Sequence, residues 1–289
     1  MYIDEDTILD LRLNYLNRFV DQFVITESQF THSGEKRELL FDINKFKKFE
    51  NKITYLTVDH EPHGIENVNH QDSERIKSHK YILNGYKRDN YQRNYLSRGI
   101  KNAEPNDIIM ISDIDEIPKL EHVNIKSIKN RLIFFQQKMF YYKFNLCLKK
   151  FIWVGTKTCR KKNIISPQWL RNIKDKTYPF WRLDTLFSKN KYQDIYFVKD
   201  GGWHFSFLKN AHDIEKKLRT YTHHREYDLD PLGVNKIEQM IKEKKTVYDL
   251  KVDMRSSPFG KGQNLTTVNM DQLPSYIQKN IEKYKLWLD

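Results

Sequence analysis

The stretch "DIIMISDIDEIP" (107–118) decides how the chain reads. Four apolar residues, 108–111, run into Asp113, Asp115 and Glu116, and Pro118 ends the run. A short apolar, β-branched run bounded by turn residues reads as a buried strand. Like charges at its end repel one another and are costly to desolvate, so a cation is the natural compensation. On extended backbone, Asp113 and Asp115 share one face. Two hard oxygen ligands suit Mg²⁺ or Mn²⁺, which keep water ligands and share phosphate oxygens with a substrate. The competing reading is a solvated acidic turn closed by Pro118.

Upstream, 7–20 carries a helical apolar face, "QFVITES" (22–28) and "ITYLTV" (53–58) read as strands, and 74–100 has a long helical pattern with a break expected near Gly85. Helices alternating with strands predict an α/β sheet with parallel neighbours. In such sheets ligands bind beyond the carboxyl ends of the strands, which is where the acidic turn falls. Downstream, "RLIFFQQKMFYYKFNLCLKKFIWVGT" (131–156) reads as antiparallel strands, and "DIYFVKDGGWHFSFL" (194–208) as two strands parted by Gly-Gly. Helical patterns follow at 211–222 and 233–245, and an amphipathic helix at 274–288. His204, behind Gly201 and Gly202, is either a satisfied core histidine or the imidazole that joins the carboxylates on a Mn²⁺-like ion.

The 289 residues are 39% hydrophobic and 13% aromatic, enough for a core and against disorder. The net charge of +12 suggests an anionic partner: nucleic acid, a membrane surface or a phosphorylated small molecule. Lysines scattered along the chain fit a generally solvated basic surface equally well. Cys147 and Cys159 form no CxxC pair, which argues against a zinc knuckle or redox motif and for a reducing compartment. No apolar run reaches the roughly 20 residues of a membrane span, and the acidic start is unlike a signal peptide. A soluble, cytoplasmic protein is expected.

"FVITESQFTHSGEKRELLF" (23–41), "DNYQRNYLSRGI" (89–100), "DIIMISDIDEIP" (107–118) and "GGWHFSF" (201–207) together resemble glycosyltransferase family 17, in the family's order and with similar spacing. The resemblance implies a GT-A-type fold with a Rossmann-like mixed central sheet flanked by helices. It implies one domain over 1–289, with a nucleotide-sugar half at about 1–120 and an acceptor half at about 121–289. It further implies a UDP-sugar donor, UDP-GlcNAc in the animal enzymes, a divalent metal (Mn²⁺ or Mg²⁺), and inverting transfer of N-acetylglucosamine to a glycan hydroxyl. It leaves the acceptor open, because the chain departs from the animal enzymes between about 140 and 195.

Inverting transfer needs a stabilised diphosphate leaving group, a base for the acceptor hydroxyl, and both held in line. The expected metal residues are Asp115 and His204, with Asp113 as a further ligand or a partner of the ribose or of metal-bound water. Glu27, Ser28 and Thr31 would hold the nucleoside, the alternative being a polar loop. Arg93 would pair with the diphosphate or orient the carboxylates, unless it is a surface arginine. Lys217, Tyr221 and His224 fall on one face if the helix continues through them, placing Lys217 for phosphate and His224 at a lid. Glu226 is the first candidate for general base and Asp184 the second; an exposed helix end is the plain alternative for the His/Glu run. The surplus of basic residues suits peripheral contact with an anionic membrane. Two other classes compete: a basic nucleic-acid-binding protein, against which no recognisable motif appears, and a metal-dependent phosphohydrolase, which usually needs more carboxylates than this one cluster.

Overall fold

The computed structural model describes residues 1–248 and 259–289. Helix α1 (Asp6–Leu16) opens the chain and turns Ile8, Leu9, Leu11, Leu13, Tyr15 and Leu16 inward. Strands β1 (Phe23–Ser28) and β2 (Ile53–Val58) lie parallel, Phe23 opposite Ile53 through to Ser28 opposite Val58. Helix α2 (Glu74–Tyr95) starts at a Ser73 cap. Strands β3 (Ile108–Ile111), β4 (Glu116–Pro118), β5 (Leu132–Tyr141) and β6 (Leu146–Arg160) follow. Helix α3 (Pro167–Asn172) begins at Ser166, whose side chain accepts from the Trp169 N–H, with Pro167 in the first turn where its missing N–H costs nothing. Then come β7 (Ile195–Val198), β8 (Gly202–Ser206), α4 (Ala211–Thr220), α5 (His224–Leu229), α6 (Val234–Lys242), β9 (Thr266–Thr267), α7 (Ser275–Lys279) and α8 (Ile281–Tyr284). No helix among the described residues is long and apolar enough to cross a membrane.

The fold is mixed α/β. A seven-stranded sheet runs β3-β6-β5-β8-β4, with β7 on β5 and β9 on β6. β5 pairs antiparallel with β6 and parallel with both β7 and β8. The chain steps from β7 to β8 at Gly201-Gly202. Gly202 has φ +126°, and a Cβ there would stand 2.1 Å from the Ile117 carbonyl oxygen, so only glycine fits. The core lies on both faces of this sheet: Leu11, Ile117, Phe140, Phe205 and Ile277 on one side, and Leu132, Phe134 and Leu170 around β3 and α3. Tyr141, Ile214, Tyr227 and Ile237 bury α4 to α6 against the end of β5. Each such side chain contributes about 1.5–3 kcal/mol by leaving water.

Three expectations are corrected. The parallel alternation stops at β2, since β3 pairs antiparallel with β6. The 15-residue β6 is long enough to serve β5, β9 and β3, a long-range choice that local alternation does not reveal. Between β1 and β3 lies a cavity of about 160 Å³, lined by Leu13, Leu16, Val24, Ile25, Ile109 and Ile111 among others. Next, α2 is continuous through Gly85. The glycine serves a close approach, because a Cβ there would meet the Thr222 carbonyl oxygen at 3.3 Å. Finally, the C-terminal helix breaks at Asn280 (φ −133°, ψ 43°) into α7 and α8.

Candidate active site

β4 lies antiparallel to β8 with Glu116 opposite His204. The Phe205 N–H donates to the Asp115 carbonyl at 2.9 Å. This register brings the Asp115 carboxylate to 3.3 Å from His204 Nε2. Burial pushes the Asp115 carboxyl up, but the His204 imidazole outweighs it and holds it below the usual range. Burial likewise pushes His204 down, and Asp115 outweighs it and raises the imidazole. Trp153 packs on the His204 ring, centroids 5.3 Å apart. His204 Nδ1 is buried with no hydrogen-bond partner, so packing and Asp115 hold this ring. A hard carboxylate oxygen facing an imidazole nitrogen is a mixed donor pair closer to the preferences of Mn²⁺ than of Mg²⁺.

Asp113 is turned elsewhere. One oxygen accepts from Arg93 at 3.2 Å and the other from Arg171 at 3.1 Å. Burial favours its neutral form, yet the Arg171 and Arg93 guanidiniums outweigh that and keep it ionised far below the usual range. Both oxygens of this expected metal ligand are thus engaged by arginines. Among the described residues no group of three His, Cys, Asp or Glu side chains could hold a metal ion.

Glu116 has no exposed surface and sits beneath this turn. It accepts from both Arg171 guanidinium nitrogens at 2.9 Å, from the Trp153 indole at 2.7 Å and from the Asp113 N–H at 2.9 Å. Arg12 of α1 donates to the Glu116 and Asp113 carbonyls at 2.6 and 3.3 Å. Arg93 is buried, not superficial; it also binds Asp89 and, at 2.6 Å, Gln168 of α3. Behind it, the buried Lys157 donates to the Arg171 and Ile173 carbonyls at 2.8 and 2.5 Å, fixing the end of α3. Burial lowers this ammonium to about 8.

A cleft leads to the pair. Its outer part, about 390 Å³, is lined by Ser28, Thr31, His32, Gln92, Lys217 and Tyr221 among others. An adjoining part of about 140 Å³ includes Asp115 and Phe205. Asp4, Glu5, Asp213 and Lys217 line both. Lys217 pairs with Glu5 at 3.4 Å; burial lowers its ammonium, but Glu5 and Asp115 together raise it.

The remaining expected residues are spread around this cleft. Thr31 shapes the loop after β1, its hydroxyl accepting from the Glu35 N–H at 3.0 Å. Glu27 is corrected from nucleoside ligand to buried tie. It accepts from Arg37, the Leu40 and Phe41 N–H groups and the Tyr55 hydroxyl, at 2.7 to 3.0 Å, which fills both oxygens. The helical face through Lys217, Tyr221 and His224 is also corrected. α4 ends at Thr220, and His224 opens α5, with Nδ1 against the Tyr221 carbonyl at 3.0 Å and the ring against Tyr81. Burial lowers the His224 imidazole. Glu226 is half-exposed beside His223 Nδ1 at 3.2 Å, which holds its carboxyl low. Asp184 stands on an exposed loop, held well below the usual range by Arg182 and Lys191 at 2.7 and 2.9 Å.

Sequence reasoning missed Arg171, Trp153 and Arg12. Each is a lone residue on an element distant in sequence from the acidic turn. The one available signal was the Ser166-Pro167 helix start, which announces α3 but not what its last turn grips.

A family model described as glycosyltransferase family 17 matches residues 1–289. The chain is 33% identical over 127 residues to a human β-1,4-mannosyl-glycoprotein 4-β-N-acetylglucosaminyltransferase, covering 41% of this chain. The rat and mouse proteins of the same name match over the same length at 33% and 32%. The matched stretch spans 21% of the length of each of these relatives. No solved structure matches the chain.

Proposed function

The chain belongs to glycosyltransferase family 17, and from that premise we propose that it transfers N-acetylglucosamine from UDP-GlcNAc to a glycan hydroxyl, with inversion, in a GT-A-type fold. The observation that carries this reading is the Asp115–His204 pair, whose Asp115 lines a pocket that also presents the half-buried ammonium of Lys217. In this reading Asp115 and His204 hold a divalent ion, Mn²⁺ or Mg²⁺, which when bound supplies Lewis-acid stabilisation of the leaving diphosphate. Lys217 adds positive charge on the phosphate side, and Ser28 and Thr31 offer hydroxyls to the nucleoside. Arg93 and Arg171 act indirectly. By clamping Asp113 and Glu116 they fix the backbone that aims Asp115, and a preorganised charge needs no rearrangement during reaction.

Of the two carboxylates considered as base, Glu226 has the better claim. It follows Tyr221, which lines the cleft wall, by five residues, and at the end of α4 the Thr220 carbonyl accepts from the His32 N–H at 3.1 Å. Asp184 is occupied by two cations. In the proposed step the base takes the acceptor hydroxyl proton, the acceptor oxygen bonds to the anomeric carbon, and the bond to UDP breaks from the opposite face.

The test is a hydrolysis and transfer screen across nucleotide sugars with and without Mn²⁺. Metal-dependent turnover of UDP-GlcNAc above the other donors is expected. Turnover of a simple phosphodiester with no nucleotide-sugar turnover would overturn the reading in favour of a phosphohydrolase. Glu226→Gln should lower transfer by about a hundredfold while leaving UDP binding intact.

A further inference from the structure

One stretch of surface takes no part in the cleft. The chain leaves the core after α3 at Lys174 and returns at Asn190, where the Lys174 N–H donates to the Asn190 carbonyl at 2.7 Å. The excursion is closed at its base like an Ω-loop. It is also braced, both within and by Gln193 just beyond its end. The Arg182 N–H donates to the Pro179 carbonyl and the Thr185 N–H to the Arg182 carbonyl, and Gln193 reaches the Pro179 carbonyl and the Thr185 hydroxyl. Thr185 is buried, yet Phe180, Trp181, Leu183, Leu186 and Phe187 are each 66% to 90% exposed.

Isolated apolar side chains on a surface need no cause, but five within 180–187 make a patch that does. Its surroundings are basic: five cationic side chains against two acidic ones over 174–191. One of the acids, Asp184, is already neutralised by Arg182 and Lys191. Aromatic and leucine side chains that enter a headgroup region, ringed by lysines whose stems lie along it and whose ammonium groups meet phosphate, are the elements of an interfacial anchor. A sugar platform would instead need free polar groups beside the rings, and here Arg182 and Asp184 satisfy each other at 2.7 and 2.8 Å.

We propose that the loop 175–189 docks this protein on an anionic membrane surface. The proposal is independent of the sugar-transfer reading, because its test reads lipid and not turnover.

The experiment is co-sedimentation of the full chain with phosphatidylcholine vesicles, with and without phosphatidylglycerol. Binding to the anionic vesicles, weakened by salt, is expected. Trp181→Ser combined with Phe187→Ser should lower partitioning by about tenfold or more, and Lys176→Gln or Lys189→Gln by about fivefold each. If the double variant loses its fold, quenching by brominated lipid decides: the wild type should be quenched more than Trp181→Phe, which keeps the patch apolar. No sedimentation with anionic vesicles would overturn the proposal. So would binding untouched by the double substitution, or a wild-type dimer that the double variant dissolves and vesicles do not compete with.

Discussion

Glu116 is a buried carboxylate with its full set of partners, and half of its hydrogen bonds come from one residue. Arg171 alone supplies two of its four hydrogen bonds and half the clamp on Asp113. Removing the guanidinium would leave a buried charge unpaired, so Arg171→Met should destabilise by about 3–5 kcal/mol in urea unfolding. Lysine cannot reproduce the fork, and Arg171→Lys should recover less than half of that loss. Asp115 lies outside the arginine clamp, paired with His204, and should behave differently. Asp115→Asn should leave the melting temperature within a few degrees but lower Mn²⁺-dependent donor hydrolysis at least a hundredfold. Lys157 gives a pH signature. Its folded value is about 8 against 10.5 for the free side chain. Between those values the unfolded chain holds the proton that the folded chain has released. Stability should therefore rise with pH across that window, by up to about 3 kcal/mol, and Lys157→Met should flatten that slope.

At the scale of elements, the site is a matter of register. Gly155 on β6 lies against Glu116, and a Cβ there would stand 1.9 Å from the Gln137 amide oxygen and 2.9 Å from the Glu116 carboxyl carbon. Gly155→Ala should cost about 1–3 kcal/mol by overpacking, and should weaken Mn²⁺ binding as Glu116 shifts; calorimetry reads both. Strands were the most legible part of the sequence. "ITYLTV" coincides with β2, and the Gly-Gly break separates β7 from β8 as its composition implied. Alternation and glycine are local signals, and these elements are locally determined. The partner of β3 was not legible, because it lies on the far half of β6 and no nearby residue encodes it. The same holds for the site. Asp115 and His204 were readable as residue types at strand ends, and the structure brings them together. Glu27 and Asp113 looked like free ligands because sequence shows a carboxylate but not the donors that the fold turns toward it.

For the whole molecule, the cleft joins parts that share little else: the loop after β1, α4, and the β4–β8 pair. A ligand spanning them stabilises them together. UDP with Mn²⁺ at about a hundred times its dissociation constant should add about 2.7 kcal/mol, read as a rise in melting temperature that neither component gives alone. Unchanged melting with every nucleoside diphosphate would remove the donor from this cleft. The loop 175–189 obeys the opposite logic. Its two ends meet through the Lys174–Asn190 backbone hydrogen bond, and side chains just outside it, Trp169, Lys191 and Gln193, hold it to the body. Such a segment is portable. Exchanging residues 175–189 for a two-residue bridge between Lys174 and Asn190 should leave the strands in place and give a trimmed body suited to crystallisation. On the docking proposal, the excised piece, carried on an unrelated scaffold with equally close ends, would serve as a compact tag for directing cargo to acidic bilayers.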